Sequence, residues 1–229
     1  MKYLATPKAR RALATILSCL AAAMVVGAVG LLGYPEYTNI RANREQKALR
    51  SEFLTSEKLK QAYQAAAKPA SAGGTKVTLA EGSAVTRIQI AKIGLDTVVV
   101  QGTSNQALAA GSGHYPQTPL PCSPTGNVGV AGHRTMNGHP FQKLDQLVTG
   151  DKVILTTPFQ QCTYQIIASV DGHANPYVTD PNDWTVIAQT SKPMLTMSTC
   201  TPEGTARQRL VARAELVSTT NIVAGSTVK

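Results

Sequence analysis

Spacings of the kind that hold a metal are missing from this sequence. Its four histidines, His114, His133, His139 and His173, stand in no paired arrangement with cysteine or carboxylate that suggests zinc, so neither a metal nor another cofactor is expected. A basic excess is also missing where nucleic acid would need it. The net charge is +9, but residues 1–70 hold 11 basic and 4 acidic residues, whereas residues 71–229 hold 11 and 9, leaving only +2 there. A nucleic-acid module concentrates Lys and Arg on its folded face among aromatics or groove-reading helices, so nucleic acid is not an expected partner. Charge of either sign is absent from residues 12–33. Those 22 residues would extend about 33 Å as a helix, against a hydrocarbon core of roughly 30 Å.

That stretch is therefore expected to span a membrane. Lys2, Lys8, Arg10 and Arg11 precede it, which favours a cytoplasmic N-terminus and a remainder on the outside. A cleaved secretory signal is the alternative, with Val26-Gly27-Ala28 as a small-residue site, but signal cores run only about 7 to 15 apolar residues. Either reading exports the rest of the chain. Four cysteines then sort by compartment. Cys19 lies in the apolar span as a small filler or a lipidation target. An oxidising exterior permits a disulfide between Cys122 and Cys162, although sequence alone leaves the bridged and free states open. Cys200 is the odd thiol out.

The expected organisation is a basic N-terminus over residues 1–11, an anchor over 12–34, a stalk and linker over 35–80, one domain over 81–219 and a tail over 220–229. Residues 43–68 are rich in Ala, Gln, Glu, Lys and Leu and read as a polar helical spacer, with Lys68-Pro69-Ala70-Ser71-Ala72-Gly73-Gly74 as a flexible linker. Beyond it, Arg87-Ile88-Gln89-Ile90 alternates, residues 97–101 are β-branched, and residues 126–132, 152–157 and 162–170 are further strand-like runs. Short helices are expected over residues 105–110, 140–148 and 181–189, with Trp184 in the core. In the last strand Leu210, Ala212, Ala214 and Leu216 share one face, and Arg209, Val211, Arg213 and Glu215 the other, so Arg209 points away from the apolar side.

Cys200 closes Thr196-Met197-Ser198-Thr199-Cys200, and Arg209 follows nine residues later. A thiolate beside a permanent cation has both a nucleophile and a means of stabilising charge, which acyl transfer needs first. His133, in Gly132-His133-Arg134, is the candidate acid or base. Plainer readings compete: a buried structural thiol for Cys200, a packed or surface imidazole for His133, a β-branched strand residue for Thr199, a loop packing residue for Tyr115. Arg207 competes with Arg209 from a polar, loop-like stretch.

The Thr196 to Cys200 segment resembles the Thr-Leu-x-Thr-Cys motif of sortases, with Met197 in place of Leu, and Arg209 stands at the position of that family's arginine. Asn127-Val128-Gly129-Val130-Ala131-Gly132-His133-Arg134-Thr135 resembles the family's histidine segment. The likeness covers roughly residues 84–217. It implies a mainly β fold, a closed sortase-like barrel of about eight strands with a few short helices. It also implies a cysteine transpeptidase in which Cys200 attacks a Thr-Gly bond, His133 moves protons and Arg209 stabilises charge. Gly113-His114-Tyr115-Pro116 looks like class E sortases, the housekeeping type of high-GC Gram-positive bacteria, in which the matching tyrosine helps read an alanine in a Leu-Ala-x-Thr-Gly signal. Tyr115, His114 and Thr199 are accordingly expected at the substrate. The implied partners are surface proteins with a C-terminal sorting signal, a peptidoglycan-precursor or pilin amine, and the membrane. A pilus-building class C enzyme is the alternative, but its lid motif and second membrane segment are not seen, and the chain ends at polar Ser226-Thr227-Val228-Lys229. An exported cysteine peptidase and an inactive tethered binding domain are the other readings.

Overall fold

Alternation of Arg87, Ile88, Gln89 and Ile90 produces strand β1 (Ala84–Ile90), whose Ile88 and Ile90 are fully buried. A short 3-10 turn and Gly94, at φ 67°, reverse the chain into β2 (Leu95–Gln101), antiparallel to β1. The structure, a computed structural model, describes residues 6–53, 55–67, 78–170 and 172–222. The expected linker at residues 68–74 and the end of the tail, residues 223–229, lie outside the described residues.

The remaining strands are β3 (Ser112–His114), β4 (Asn127–Gly132), β5 (Lys152–Thr156), β6 (Gln160–Ile166), β7 (Ser169–Val170), β8 (His173–Ala174), β9 (Tyr177–Thr179), β10 (Met194–Thr201) and β11 (Gln208–Asn221). Eight of them run in the order β10-β4-β3-β2-β1-β5-β6-β11, and β11 pairs back onto β10, so the sheet closes into a barrel. Strand β9 adds outside the ring, on β11. Closure leaves no free edge around the ring, and inward-facing residues such as Val130, Leu155, Tyr164, Leu195, Met197 and Ala212 fill the interior. Leu210, Ala212 and Ala214 take the inner face as their alternation requires. The other face of β11 is not left to water: Val211 and Arg213 are also buried, beneath the 3-10 helix Trp184–Ile187. Of the expected helices, residues 105–110 contain a short α-helix (Asn105–Leu108), whereas the other two contract to 3-10 turns.

Two compact units divide the chain, Met1–Tyr37 and Thr38–Lys229. Helix α1 (Pro7–Phe53) supplies the first, where an 18-residue window has mean hydropathy 2.3, and large apolar side chains such as Leu20, Val26 and Leu31 are exposed. It is long and apolar enough to cross a membrane. The later part of α1 belongs to the second unit and is not the spacer its composition suggests. Ala42, Phe53 and, from helix α2 (Glu57–Ala66), Leu59 and Ala62 are buried. Phe53, Leu59 and Ala62 pack with Val85 and Val98 of the barrel. Ala42, Gln46, Leu49 and Phe53 fall on one helical stripe, which the polar Gln46 disguises in the sequence. Its amide accepts from Val98 N–H (2.7 Å) and donates to the carbonyls of Val98 and Ala110 (2.8 Å each), bonding β2 much as a strand would.

Two further ties fix the loops that flank β3. Cys122 and Cys162 are joined by a disulfide, Cα to Cα 5.7 Å, fastening the 115–126 segment to β6. Closing 40 residues restricts the unfolded chain by about 4 kcal/mol. His114 is 1% exposed: its Nε2 contacts the Pro119 carbonyl (2.9 Å) and Thr118 Oγ1 (3.1 Å), and its Nδ1 lies 2.9 Å from Gln101 Oε1. Burial pushes its pKa down to about 4, outweighing the opposite pull of the Pro119 carbonyl.

Both ties are measurable. Reducing the disulfide, or replacing both cysteines by serine, should cost about 2–4 kcal/mol in urea unfolding of the detergent-solubilised chain; an unchanged midpoint would show the bridge to be energetically idle. Because the unfolded His114 takes up its proton near pH 6.5 and the folded one only near 4, stability is full above 6.5 and falls through that window. The loss is on the order of 3 kcal/mol by pH 4. His114→Gln should flatten this slope in pH-dependent unfolding.

Candidate active site

Strand β10 lies between β4 and β11, and three residues meet because of it. Across the antiparallel pair, Cys200 stands directly opposite Arg209, Ser198 opposite Val211 and Thr196 opposite Arg213. Residues so paired project from the same face with Cβ atoms about 5 Å apart. The alternate residues Leu195 and Met197 face the core with Ala214 and Ala212, so the polar face of β10 is turned outward. On its other side β10 runs parallel to β4, with Thr196 beside Gly129 and Ser198 beside Ala131. The two-residue step from Ser198 to Cys200 also leads from Ala131 to His133, one residue beyond the end of β4. Cys200, His133 and Arg209 line one cleft of about 650 Å³.

His133 starts a loop that returns to its own neck, where Phe141 N donates to the His133 carbonyl at 3.2 Å and the Phe141 ring is fully buried. Gly132 has no room for a side chain there: a Cβ would sit 2.8 Å from the Phe141 ring and 2.9 Å from Pro140. Arg134, buried next to the histidine, donates to Thr201 Oγ1 (2.7 Å), to the Gln142 carbonyl (3.3 Å) and to Asp145 (2.9 Å), with Glu203 at 3.5 Å. This clamp ties the histidine loop to the end of β10, a role for Arg134 that sequence reading did not single out. Its signal is a cation beside the histidine with an acid eleven residues on. Burial holds the His133 imidazole below its ordinary value, so it rests neutral near pH 7.

Arg209 is half-buried, and Nη1 donates to the Ala206 and Gln208 carbonyls at 3.2 Å each. Among the described residues no carboxylate pairs with it. Its other N–H groups are therefore not committed to an internal acid. The Cys200 thiol is free and half-buried.

The expected substrate residues divide. Tyr115 is in the cleft wall, its hydroxyl 3.1 Å from Ser198 Oγ, and its ring would be 2.8 Å from a Cβ at Gly129. Thr199 borders the cleft, but the register turns its side chain to the face opposite Cys200, where Oγ1 is buried without a hydrogen-bond partner among the described residues. His114 is not brought to the cleft; it is enclosed behind the Tyr115 turn by Gln101, Thr118 and Pro119. Trp184, expected in the core, is instead 63% exposed on the cleft wall. Val186 and Ile187 take the inward places of that short helix, packing on Val211. Its backbone is latched by Asn127 Nδ2 to the Val186 and Ala188 carbonyls and by Arg213 to those of Thr185 and Val186. Thr196 links the two latches, receiving from Arg213 and donating to Asn127.

Comparison with known proteins agrees with this architecture. Residues 88–217 match the Sortase domain family. Sortase SrtE1 of Streptomyces coelicolor is 30% identical over 138 residues, 57% of this chain but only 39% of that protein's length. Sortase D of Bacillus subtilis is 29% identical over 168 residues, 68% of this chain and 79% of the relative. Among solved structures, sortase E from Streptomyces avermitilis superposes with a TM-score of 0.55 at 32% identity, covering 65% of this chain and 97% of that one. The SrtF sortase from Corynebacterium diphtheriae gives 0.60 at 25% identity, covering 67% and 94%. The family match takes in β4, β10 and most of β11 and more than half of the chain, and the protein belongs to the sortase family.

Proposed function

We propose that this protein is a membrane-anchored, class E-like sortase that cuts the Thr-Gly bond of a Leu-Ala-x-Thr-Gly or Leu-Pro-x-Thr-Gly sorting signal and passes the acyl group to a cell-wall amine. The observation that carries the reading is the convergence of Cys200, His133 and Arg209 from adjacent strands on one open cleft. Likeness to the sortase E proteins supports the class. The apolar part of α1, preceded by Lys8, Arg10 and Arg11, supports an anchor with its N-terminus in the cytoplasm and the barrel outside. The bridged Cys122 and Cys162 suit that oxidising side.

In the reaction the Cys200 thiol passes its proton to neutral His133, the resulting thiolate attacks the threonine carbonyl, and the carbonyl electrons move onto oxygen. Arg209, which never loses its proton, stabilises that oxyanion. Collapse of the intermediate forms the thioester and expels the glycine amine, which takes a proton from protonated His133. The now neutral His133 accepts a proton from the incoming amine as it attacks the thioester, and Cys200 leaves as thiolate. The lowered pKa of His133 suits this sequence, because a proton it carries is readily surrendered to the leaving amine. Tyr115, on the cleft wall and hydrogen-bonded through Ser198 to the strand that bears Cys200, reads the second signal position.

Mass spectrometry of the detergent-solubilised chain with a Leu-Ala-x-Thr-Gly peptide and an excess of glycyl amine should show a thioester on Cys200 and an amide product. Hydrolysed peptide alone would make the protein a peptidase, and no acylation would make it a binding domain. Cys200→Ala should abolish acylation. Arg209→Lys should lower kcat/KM by at least tenfold, because a point charge does not reproduce the planar fork; near-normal turnover would remove Arg209 from the mechanism. Tyr115→Ala should change the preference between Leu-Ala and Leu-Pro peptides more than it changes unfolding; equal loss on both would deny it a role in specificity.

A further inference from the structure

The loop that begins at His133 reaches its tip in an uncommon backbone. Asn137, Gly138 and His139 lie at φ 52°, 76° and 35°, three successive residues in the left-handed region. For the two that carry side chains this conformation is costly, and such a run persists only where surrounding contacts over-determine it. One of the three N–H groups is bonded within the loop, His139 to the Met136 carbonyl at 2.9 Å. The other two reach out to helix α1: Asn137 N donates to Thr38 Oγ1 at 3.4 Å, and Gly138 N donates to Asn39 Oδ1 at 2.9 Å. The helix comes close enough here that a Cβ on Gly138 would meet Ala42 at 3.7 Å. At the loop's other end, Phe141 N closes the neck on the His133 carbonyl, and Arg134, the first residue after the histidine, is clamped to Thr201 and Asp145.

We infer that Thr38 and Asn39, at the start of the barrel-docked part of helix α1, are positioning residues for His133. They hold the tip of its loop in the left-handed conformation that sets where the loop begins. Neither residue lines the cleft. The inference rests on His133 being the proton-transfer group proposed above, and it adds an element nearly a hundred residues upstream to the catalytic apparatus. The shorter, stronger bond is Asn39's, and its geometry needs only an oxygen acceptor at that place. Gln46 offers an internal comparison. It makes three hydrogen bonds from the same helix to Val98 and Ala110 but none to the histidine loop. A merely structural helix would make Gln46 matter more to every property than Asn39; a positioning element would make them differ.

The test measures steady-state kinetics with a sorting-signal peptide and an amine, together with thermal unfolding, on the full chain in detergent. Wild type and Cys200→Ala run first, so that a wild type without acylation would be recognised as failure of the functional reading and not of this inference. Asn39→Leu, which removes the acceptor, should lower kcat about fivefold, the worth of one hydrogen bond, and leave KM unchanged. Asn39→Asp, which keeps an acceptor, should restore at least half of the wild-type kcat. Gln46→Leu should lower the unfolding temperature more than Asn39→Leu does, yet keep kcat within twofold when assayed well below its midpoint. The inference is overturned if Asn39→Leu turns over at the wild-type rate, if Asn39→Asp fails to rescue, or if kcat across the three variants simply follows the loss of unfolding temperature.

Discussion

Everything at the cleft depends on one strand having two neighbours of opposite sense. Strand β10 pairs parallel with β4 and antiparallel with β11, and the second of these pairings is also what closes the barrel. A parallel neighbour advances in step with β10, so the residue just past the end of β4 arrives beside the end of β10. An antiparallel neighbour returns through a hairpin, so Arg209, the second residue of β11, arrives at the same end from the other side. Histidine, cysteine and arginine are therefore gathered by backbone hydrogen bonds shared with the rest of the core. Their approach does not depend on contacts among themselves.

A second layer of polar contacts makes the outer face of that strand usable. Thr196, Arg213 and Asn127 form a buried chain of hydrogen bonds that ends on the carbonyls of the 3-10 helix over residues 184–187. Buried polar groups are costly unless satisfied, so this network specifies where the cleft wall stands. Arg134 does the equivalent for the histidine loop, and the Cys122–Cys162 bridge for the segment that follows Tyr115. The wall is thus pinned at several points by side chains other than those of Cys200, His133 and Arg209.

Local patterning made the strands readable in advance, and it was the resemblance of the segments around Cys200 and His133 that pointed to residues which meet at the cleft. Period-two alternation fixes which face Arg209 takes, and the spacing of Cys200 and Arg209 suits a short hairpin. Four readings were beyond that logic, each for a physical reason. His114 shares a motif with Tyr115, but neighbouring residues in a strand point to opposite faces, and only Tyr115 reaches the cleft. Thr199 suffers the same alternation relative to Cys200. Trp184 carries the largest apolar side chain of its segment, yet Val186 and Ile187 already fill the space beneath it. The docked part of α1 hides because its central contact is an amide and not a hydrocarbon, and hydropathy does not register a glutamine that bonds a strand.

The exposed position of Trp184 has a practical consequence. It is the chain's one tryptophan, and its indole stands 63% exposed on the cleft wall while the backbone just after it is held by Asn127 and Arg213. Indole emission depends on the polarity around the ring, and here that emission comes from one site alone. The protein carries a native fluorophore at the mouth of its own cleft, so that a peptide entering there would announce itself without dye, label or engineered probe.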